Sequence, residues 1–589
     1  MDIMLTTLNS KFIHSNLAIR YLANYIKEIN DVEVREFTIN QNIDFITSEI
    51  FKADPDLIGF SVYIWNLEEI LEICKILKMV NPNIKIMLGG PEVSFDEERV
   101  MEDYPFIDFI IFGEGEETFR ELIFYIKEGN EDLSDIEGLV FREGEKVFRN
   151  NPRPLIQDLD KIPSPYENIG KEFENKIIYY ESSRGCPFNC EFCLSSTLRG
   201  VRYFNIERVK KDLANLIEGK VRQVKFVDRT FNANKSYAME IMDFIMDKDP
   251  KNINFHFEVT AHLLDEEMLK FLNKAKEGLF QFEIGVQSTN PKTIDAINRI
   301  TDFERLSKVT KQIQSYKNIH QHLDLIAGLP YEDYNIFEKS FNDVYNLKPE
   351  KIQLGFLKLL KGSGLRLNEK EYGYKYLNKP PYEVLENKYI GYTDMIRLKD
   401  IEKLVDNYYN EGYFGHTLEF IIKNNYSSPF KFYEDFADYW AKEGYYEFSH
   451  SRNKLYSILK DFSKYKEYPN IEIIKNLLKY DYMFNNKKPS LPNNLEIAEF
   501  QNKQKTIHDI LKDERILNNK LQKYRDIPTK RLINMVSVEK FNRDILNIVE
   551  ENYKSIEEEI EIYILFDHTN GEIIRAESYD ITDIVKELI

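Results

Sequence analysis

The sequence predicts an α/β protein in three parts: a Rossmann-like doubly wound domain, a partial (β/α)6 barrel, and a mostly helical C-terminal domain with a terminal β-hairpin. Three observations carry this. Strand-sized apolar runs alternate with helical spacing over the first 150 residues, and again from about residue 177 onward. Beyond about Tyr382 the apolar residues fall at helical spacing, as in Leu455, Ile458, Leu459 and Phe462. At 589 residues the chain is too long for one core, so three or four domains are expected. The expected boundaries are 1–150, a linker at 151–172, then 173–380 and 381–589.

Composition narrows the class. The apolar fraction of 43% and charged fraction of 30% are those of a soluble globular protein. The longest apolar runs, such as Leu57–Trp65, are far short of a membrane span, and no membrane association is expected. The opening Met-Asp-Ile-Met-Leu lacks the basic and apolar regions of a signal peptide, so a cytoplasmic location is expected. Four cysteines, three of them clustered, argue for metal in a reducing compartment over a disulfide framework. A net charge of −20 speaks against a nucleic-acid coat. One basic stretch runs from Lys503 to Arg543 and reads either as a solvated helix face or as a phosphate-binding patch.

In the first 150 residues, Ile3–Leu8 is a short strand and Asn16 caps the following helix. Val32–Ile39 alternates as a strand, Leu57–Tyr63 is buried, and a helix runs from about Asn66 to Val80. Strand Lys85–Leu88 ends in Gly89-Gly90-Pro91, and Phe109–Phe112 ends in Gly113-Glu-Gly-Glu-Glu-Thr118. Such alternation implies a parallel sheet with ligands at the carboxyl ends of its strands. Cys74 has apolar neighbours and reads as core. The pieces Gly59-Phe-Ser61, Gly89-Gly-Pro-Glu-Val-Ser94 and Asp108-Phe-Ile-Ile-Phe-Gly-Glu-Gly-Glu116 resemble the cobalamin-binding domain that precedes many radical S-adenosylmethionine (SAM) enzymes. The resemblance implies that Ser61, Tyr63, Gly89, Gly90, Pro91, Glu92, Gly113, Glu114 and Gly115 line cobalamin. The Asp-x-His-x-x-Gly motif of cobalt-ligating domains is broken here: Phe12 replaces the Asp and Leu17 the Gly around His14. His14 therefore reads either as a cobalt ligand or as an ordinary histidine at a helix N-terminus.

The barrel begins with strand Lys176–Tyr180, directly followed by Ser183-Arg-Gly-Cys-Pro-Phe-Asn-Cys-Glu-Phe-Cys193. Three thiolates at this spacing suit a four-iron cluster with one open iron, since structural zinc takes four protein ligands. Cys186, Cys190 and Cys193 are the expected ligands of a [4Fe-4S] cluster. The stretch resembles the radical SAM superfamily, whose members bind SAM at the open iron and cleave it to a 5′-deoxyadenosyl radical. The resemblance places Phe192 near the adenine and gives Arg184 and Gly185 a role in bracing the loop. Asp228, at the end of Gln223–Val227, is a candidate for the cofactor's amino group or the substrate, or else a cap for the next helix. Glu258, near the end of strand Phe255–Val259, is a further residue that the resemblance places at SAM. After Phe280–Val286, the residues Gln287, Ser288 and Arg299 match the family's Gly-x-Gln-Ser segment and would border the ribose and carboxylate of SAM. His322–Ile326 leads into Ala327-Gly-Leu-Pro330, where Gly328 and Pro330 would line the adenine. Lys351–Leu357 is the sixth strand, closed by Lys361-Gly-Ser-Gly364. These residues fall at strand C-termini, where barrels of this kind do their chemistry.

Asn570-Gly571 signals the terminal hairpin between Glu561–Phe566 and Glu572–Glu577. The layout resembles a bacterial subgroup of cobalamin-binding radical SAM enzymes with an uncharacterised, DUF4080-like C-terminal domain, which shares openings such as Thr7-Leu-Asn-Ser-Lys-Phe-Ile-His-Ser-Asn-Leu-Ala18. The resemblance implies three cofactors: a [4Fe-4S] cluster, SAM and cobalamin. It implies methylation of an unactivated carbon, on a tRNA nucleoside or a small metabolite, with cobalamin-assisted rearrangement or cyclisation as the rival. A cobalamin or redox sensor is a third reading, against which the complete cysteine triad speaks. The expected partners are the substrate and an electron donor such as flavodoxin or ferredoxin, and a monomer is expected.

Overall fold

The structure, a computed structural model, describes residues 1–128, 132–167, 169–197, 200–486, 491–498, 500, 502–554, 558–568 and 576–588. It divides into two compact units, residues 1–340 with 353–392, and residues 341–352 with 393–589.

The first unit opens with a parallel sheet. Its strands are β1 (Ile3–Asn9), β2 (Val32–Thr38), β3 (Leu57–Ser61), β4 (Lys85–Gly89) and β5 (Phe109–Ile111), in the order β2-β1-β3-β4-β5. Alternate residues feed two cores. Met4, Leu8, Ile58, Phe60, Ile86 and Leu88 pack on one side, and Ile3, Leu5, Leu57, Met87, Phe109 and Ile111 on the other. Burial on both faces is why these strands read as continuous apolar runs. The strand order reverses between β1 and β3, the point where open α/β sheets bind ligands. Asn16 caps its helix as expected, accepting from Ile19 N at 3.1 Å. Cys74 is fully buried in the core, which pushes its thiol pKa up. Further elements extend the expected set: helices Ile43–Ala53, Glu97–Asp103 and Glu116–Glu128, and an antiparallel hairpin of β6 (Leu139–Glu143) and β7 (Lys146–Arg149) on the sheet's far edge. β6 offers only the short buried run Leu139-Val140-Phe141, and β7 is charged and mostly exposed, so neither spells out a long apolar run like their parallel neighbours.

The barrel strands are β8 (Ile177–Tyr180), β11 (Gln223–Phe226), β12 (Asn254–Glu258), β13 (Phe280–Gln287), β14 (Ile319–Ala327) and β15 (Lys351–Phe356), neighbours in that order. Pairing is parallel from β8 through β14. Between β8 and β11 lies a small antiparallel hairpin, β9 (Ser183–Cys186) with β10 (Gly200–Tyr203). Among the described residues the sheet stays open between β15 and β8, so the barrel is partial, as expected. Residues 13–15 of the first domain lengthen the β8 edge: Ile177 N donates to Ile13 O at 2.9 Å, and His14 bridges to Ile177 in parallel.

The second unit is mostly helical. Helices Gly415–Asn425, Pro429–Lys442, Arg452–Tyr465 and Ile471–Asn485 bury Tyr408, Tyr433, Trp440 and Tyr456. Phe414 cannot cap the first of these, and the buried Asp481 does so instead, accepting from Thr417 N at 2.8 Å and Thr417 Oγ1 at 2.6 Å. The terminal hairpin is a correction in part. Ile562–Asp567 pairs with Glu577–Asp580, but Val536–Phe541 joins them in a three-stranded antiparallel sheet. The expected turn at Asn570-Gly571 lies outside the described residues. Within the basic stretch, Lys503 pairs with Glu539, Arg515 with Glu587, Lys523 with Asp567, Lys540 with Glu561 and Arg543 with Glu559. Much of its charge is thus neutralised locally. Among the described residues no helix is long and apolar enough to cross a membrane.

Candidate functional site

The strand β9 ends at Cys186, and Cys190 and Cys193 follow in the loop beyond it. Each sulfur has a polar neighbour: Thr230 Oγ1 at 3.6 Å from Cys186, Arg299 Nη1 at 3.6 Å from Cys190, and Ser195 N at 3.4 Å from Cys193. Donors of this kind tune sulfur ligands. Among the described residues no three His, Cys, Asp or Glu side chains converge on a single ion. A four-iron cube sets its three thiolates on separate corners, so the donor set fits such a cluster. Phe192 stands half-buried between the last two cysteines.

Asp228 corrects the sequence reading. It does not cap the next helix; Asn234 does, accepting from Tyr237 N at 3.2 Å. The Asp228 carboxylate is buried and accepts from Ser182 N at 3.0 Å, Ser182 Oγ at 2.6 Å and Ser183 Oγ at 2.5 Å. These three bonds let it brace the start of the cysteine hairpin.

A packed barrel fills its interior with branched apolar residues. This one is polar inside. Tyr179, Lys225, His256, Gln281 and His320 share one register row; Glu258, Glu283 and His322 form the next; Gly285 and Asp324 sit nearest the strand ends. Burial raises Glu283, but His256 Nε2 at 2.9 Å and Lys225 Nζ at 3.2 Å outweigh it and hold the carboxylate below its usual range. Burial pushes Glu258 up, and Asp324 further, with Glu283 and Glu258 adding to the shift.

Gln287 stands at φ +69° after a bulge in β13, a strained position for a residue with a side chain. Arg299 Nη2 donates to Gly285 O at 2.5 Å. Among the described residues, Gln287 Oε1, Arg299 Nε and Asp324 Oδ1 are buried without a partner. Three unpaired polar atoms, one of them on the guanidinium that lies 3.6 Å from Cys190 Sγ, fit a polar ligand that completes them. Asp324 was missed by the sequence reading. Its signal is the period-two run His320, His322, Asp324, which puts polar groups on the inner face of a strand. The loop holding Gly328 and Pro330 is buried, and Gly328 O accepts from Asn387 Nδ2 at 2.9 Å.

Ser288 is fully buried; its hydroxyl donates to Glu332 Oε1 at 2.5 Å, and Ser340 Oγ donates to the same oxygen at 2.9 Å. Burial raises the Glu332 carboxyl to about 7, although both serines lower it. The unfolded chain ionises near its ordinary 4.5 and the native chain near 7, so stability falls as pH rises between those values. Glu332→Gln removes that cost: a Tm gain at pH 8, worth roughly 2 kcal/mol, is expected to shrink at pH 5. An equal gain at both pH values would refute it.

At the edge of the first sheet, Ser61 Oγ is buried and unpartnered among the described residues, and Gly90 stands at φ +113° with its Cβ position 2.5 Å from Val62 O. Only glycine fits there. Gly89 and Gly115 flank the same edge half-buried, and Pro91 and Gly113 are exposed. Tyr63 stacks on Trp65 at 4.5 Å between ring centroids. His14 Nδ1 lies 3.0 Å from Tyr179 Oη, which leaves Nε2 for another ligand; this barrel residue is the partner that the local sequence does not reveal. The Glu92 carboxylate is buried against Tyr382 Oη and Lys361 Nζ, and that of Glu114 is taken by Arg202 and Arg184. Both side chains tie the first sheet to later parts of the unit.

A ligand-binding α/β edge and an open three-cysteine loop on a partial barrel define a radical SAM enzyme with a B12-binding domain. Family models agree: B12 binding domain over residues 4–123, Radical SAM superfamily over 180–344, and a protein of unknown function family, DUF4080, over 370–566. The chain is 31% identical over 330 residues to the uncharacterized methyltransferase PH0819 of Pyrococcus horikoshii, covering 54% of this chain and 70% of that one. It is 25% identical over 353 residues to the cobalamin-dependent radical SAM methyltransferase TokK of Streptomyces tokunonensis, covering 56% of this chain and about half, 51%, of TokK. The solved structure of the cobalamin-dependent SAM radical enzyme OxsB, with aqua-cobalamin and SAM bound, shares the fold at a TM-score of 0.57 and 17% identity, covering 94% of this chain and 83% of that one. The chain belongs to the cobalamin-binding radical SAM family.

Proposed function

We propose that this protein is a cobalamin-dependent radical SAM methyltransferase acting on an unactivated carbon. The observation that carries the reading is that the cysteine loop and the β1/β3 ligand edge belong to one compact unit, joined through His14 to Tyr179 and Glu114 to Arg202. When bound, SAM with the cluster supplies hydrogen abstraction, and methylcobalamin supplies the methyl group. Cys186, Cys190 and Cys193 hold the cluster. Arg299, Gln287, Asp324 and Glu258 bind the polar parts of SAM, with Phe192, Gly328 and Pro330 around its adenine. Ser61, Gly89, Gly90 and the Gly113–Gly115 backbone admit cobalamin, and His14 offers Nε2. The likeness to PH0819 and TokK supports methyl transfer. The local pairing of the basic stretch favours a small metabolite over a tRNA nucleoside as substrate. A cytoplasmic flavodoxin or ferredoxin is the electron donor that fits a reducing compartment.

The test is anaerobic reconstitution followed by mass spectrometry of metabolite and tRNA extracts. S-adenosylhomocysteine and 5′-deoxyadenosine are expected together, with a product 14 Da heavier than its substrate on the scale of one added CH₂. Deoxyadenosine without S-adenosylhomocysteine would replace methylation by rearrangement or cyclisation.

A further inference from the structure

Glu114, in the loop after β5, and Glu116, the first residue of the helix that follows, reach across to the hairpin that carries Cys186. Glu114 Oε1 lies 2.8 Å from Arg202 Nη2 and 3.4 Å from Arg184 Nη1. Its other oxygen lies 3.0 Å from Arg202 Nη1 and accepts from Ile156 N at 2.7 Å. Glu116 Oε1 lies 2.6 Å from Arg184 Nη2, and Glu181 Oε2 lies 3.0 Å from Arg184 Nε. The side chains are at most 16% exposed, so solvent screens these pairs weakly.

The register makes the arrangement more than a set of ion pairs. Arg184 and Arg202 are direct cross-strand partners in the β9–β10 hairpin, two positions from the Cys186–Gly200 pair. Like charges placed opposite one another oppose strand pairing. Glu114 bonds both guanidiniums, so a carboxylate from the first domain holds together the hairpin that presents a cluster cysteine. The other side of the same loop is open: Gly113 stands at φ +79° with no heavy atom within 4 Å of its Cβ position. One face of the loop offers room for a ligand while its acidic side chains grip the cysteine hairpin.

We infer that the Glu114–Arg202–Arg184–Glu116 network couples the two cofactor sites, so that cobalamin and the cluster each bind more tightly when the other is in place. A ligand that orders the Gly113–Gly115 backbone fixes the carboxylates, which draw the arginines together and set Cys186. A cluster that fixes Cys186 orders Arg184 and so the loop. Linkage makes the effect reciprocal. This rests on the cofactor assignment proposed above. Through their side chains, which bond each other, Glu114 and Arg202 act as positioning residues.

The test uses the full chain under anaerobic conditions, with hydroxocobalamin as probe, titrated with and without a reconstituted cluster. Hydroxocobalamin is expected to bind about tenfold more tightly to the cluster-loaded chain, and to slow loss of cluster iron to a chelator by a similar factor. In Glu114→Gln and Arg202→Gln the ratio of the two dissociation constants is expected to fall to within about twofold. Arg202→Lys keeps the charge but not the two-pronged geometry and is expected to give an intermediate ratio, which also serves if the Gln variants fail to fold. Equal dissociation constants with and without cluster in the unaltered chain would overturn the coupling, as would an undiminished ratio in the variants. A chain that takes up neither hydroxocobalamin nor iron would overturn the cofactor assignment itself, and this inference with it.

Discussion

Replacing Cys186, Cys190 and Cys193 together with Ala is expected to remove the visible absorption of the reconstituted cluster and all 5′-deoxyadenosine formation. No other cysteine can stand in, because Cys74 is fully buried in the core of the first sheet. The loss follows from ligand chemistry: without soft thiolate donors the site has no hold on iron. The fold is expected to survive, since Cys186 and Cys193 are only half-buried and the hairpin is braced by Asp228 through Ser182 and Ser183. Absorbance near the iron–sulfur bands and product chromatography check both parts. Deoxyadenosine formed at the rate of the unaltered chain would refute the assignment of the cluster.

The second large effect is expected at Arg299. Its guanidinium stands 3.6 Å from Cys190 Sγ through Nη1, bonds Gly285 O through Nη2, and keeps Nε buried without a partner. Arg299→Ala deletes the guanidinium proposed to bind a polar part of SAM and a neighbour of the Cys190 sulfur. A loss of about a hundredfold in kcat/KM for SAM cleavage is expected, with Arg299→Lys recovering little because an ammonium lacks the planar fork. The reduction potential of the cluster is also expected to fall, since a positive charge beside a sulfur favours the reduced state. Unchanged cleavage with an unchanged potential would show that Arg299 serves only the β13 loop.

The parts of the fold that were legible in the sequence are those where one period dominates. Strands β1, β3 and β4 are buried on both faces and spell out apolar runs, and the barrel strands repeat before turns marked by Gly and Pro. The β6–β7 hairpin was not legible, because a three-residue apolar run and a charged edge strand carry little periodic signal. In the site, the cysteine spacing was legible because its chemistry is local. The side-chain partners of Glu92, Glu114, Asp228 and Ser288 were not. Each carboxylate or hydroxyl sits in a loop of the right kind, yet spends its hydrogen bonds on a residue tens to hundreds of positions away. The strand pattern that exposes Asp324 was present, and only its register with Gly285 shows what it faces.

The strand-like contact of residues 13–15 with β8 has a consequence for how this chain can be divided. A barrel cut free at the linker would present β8 as a bare edge, with Ile177 N deprived of Ile13 O and Tyr179 of its imidazole neighbour. Unprotected edges pair with other copies. Expressed alone, residues 173–392 should therefore self-associate in proportion to concentration, and supplying the first domain in trans should suppress it. The opening loop of the protein is in this sense a chaperone for the barrel's first strand, carried in the same chain.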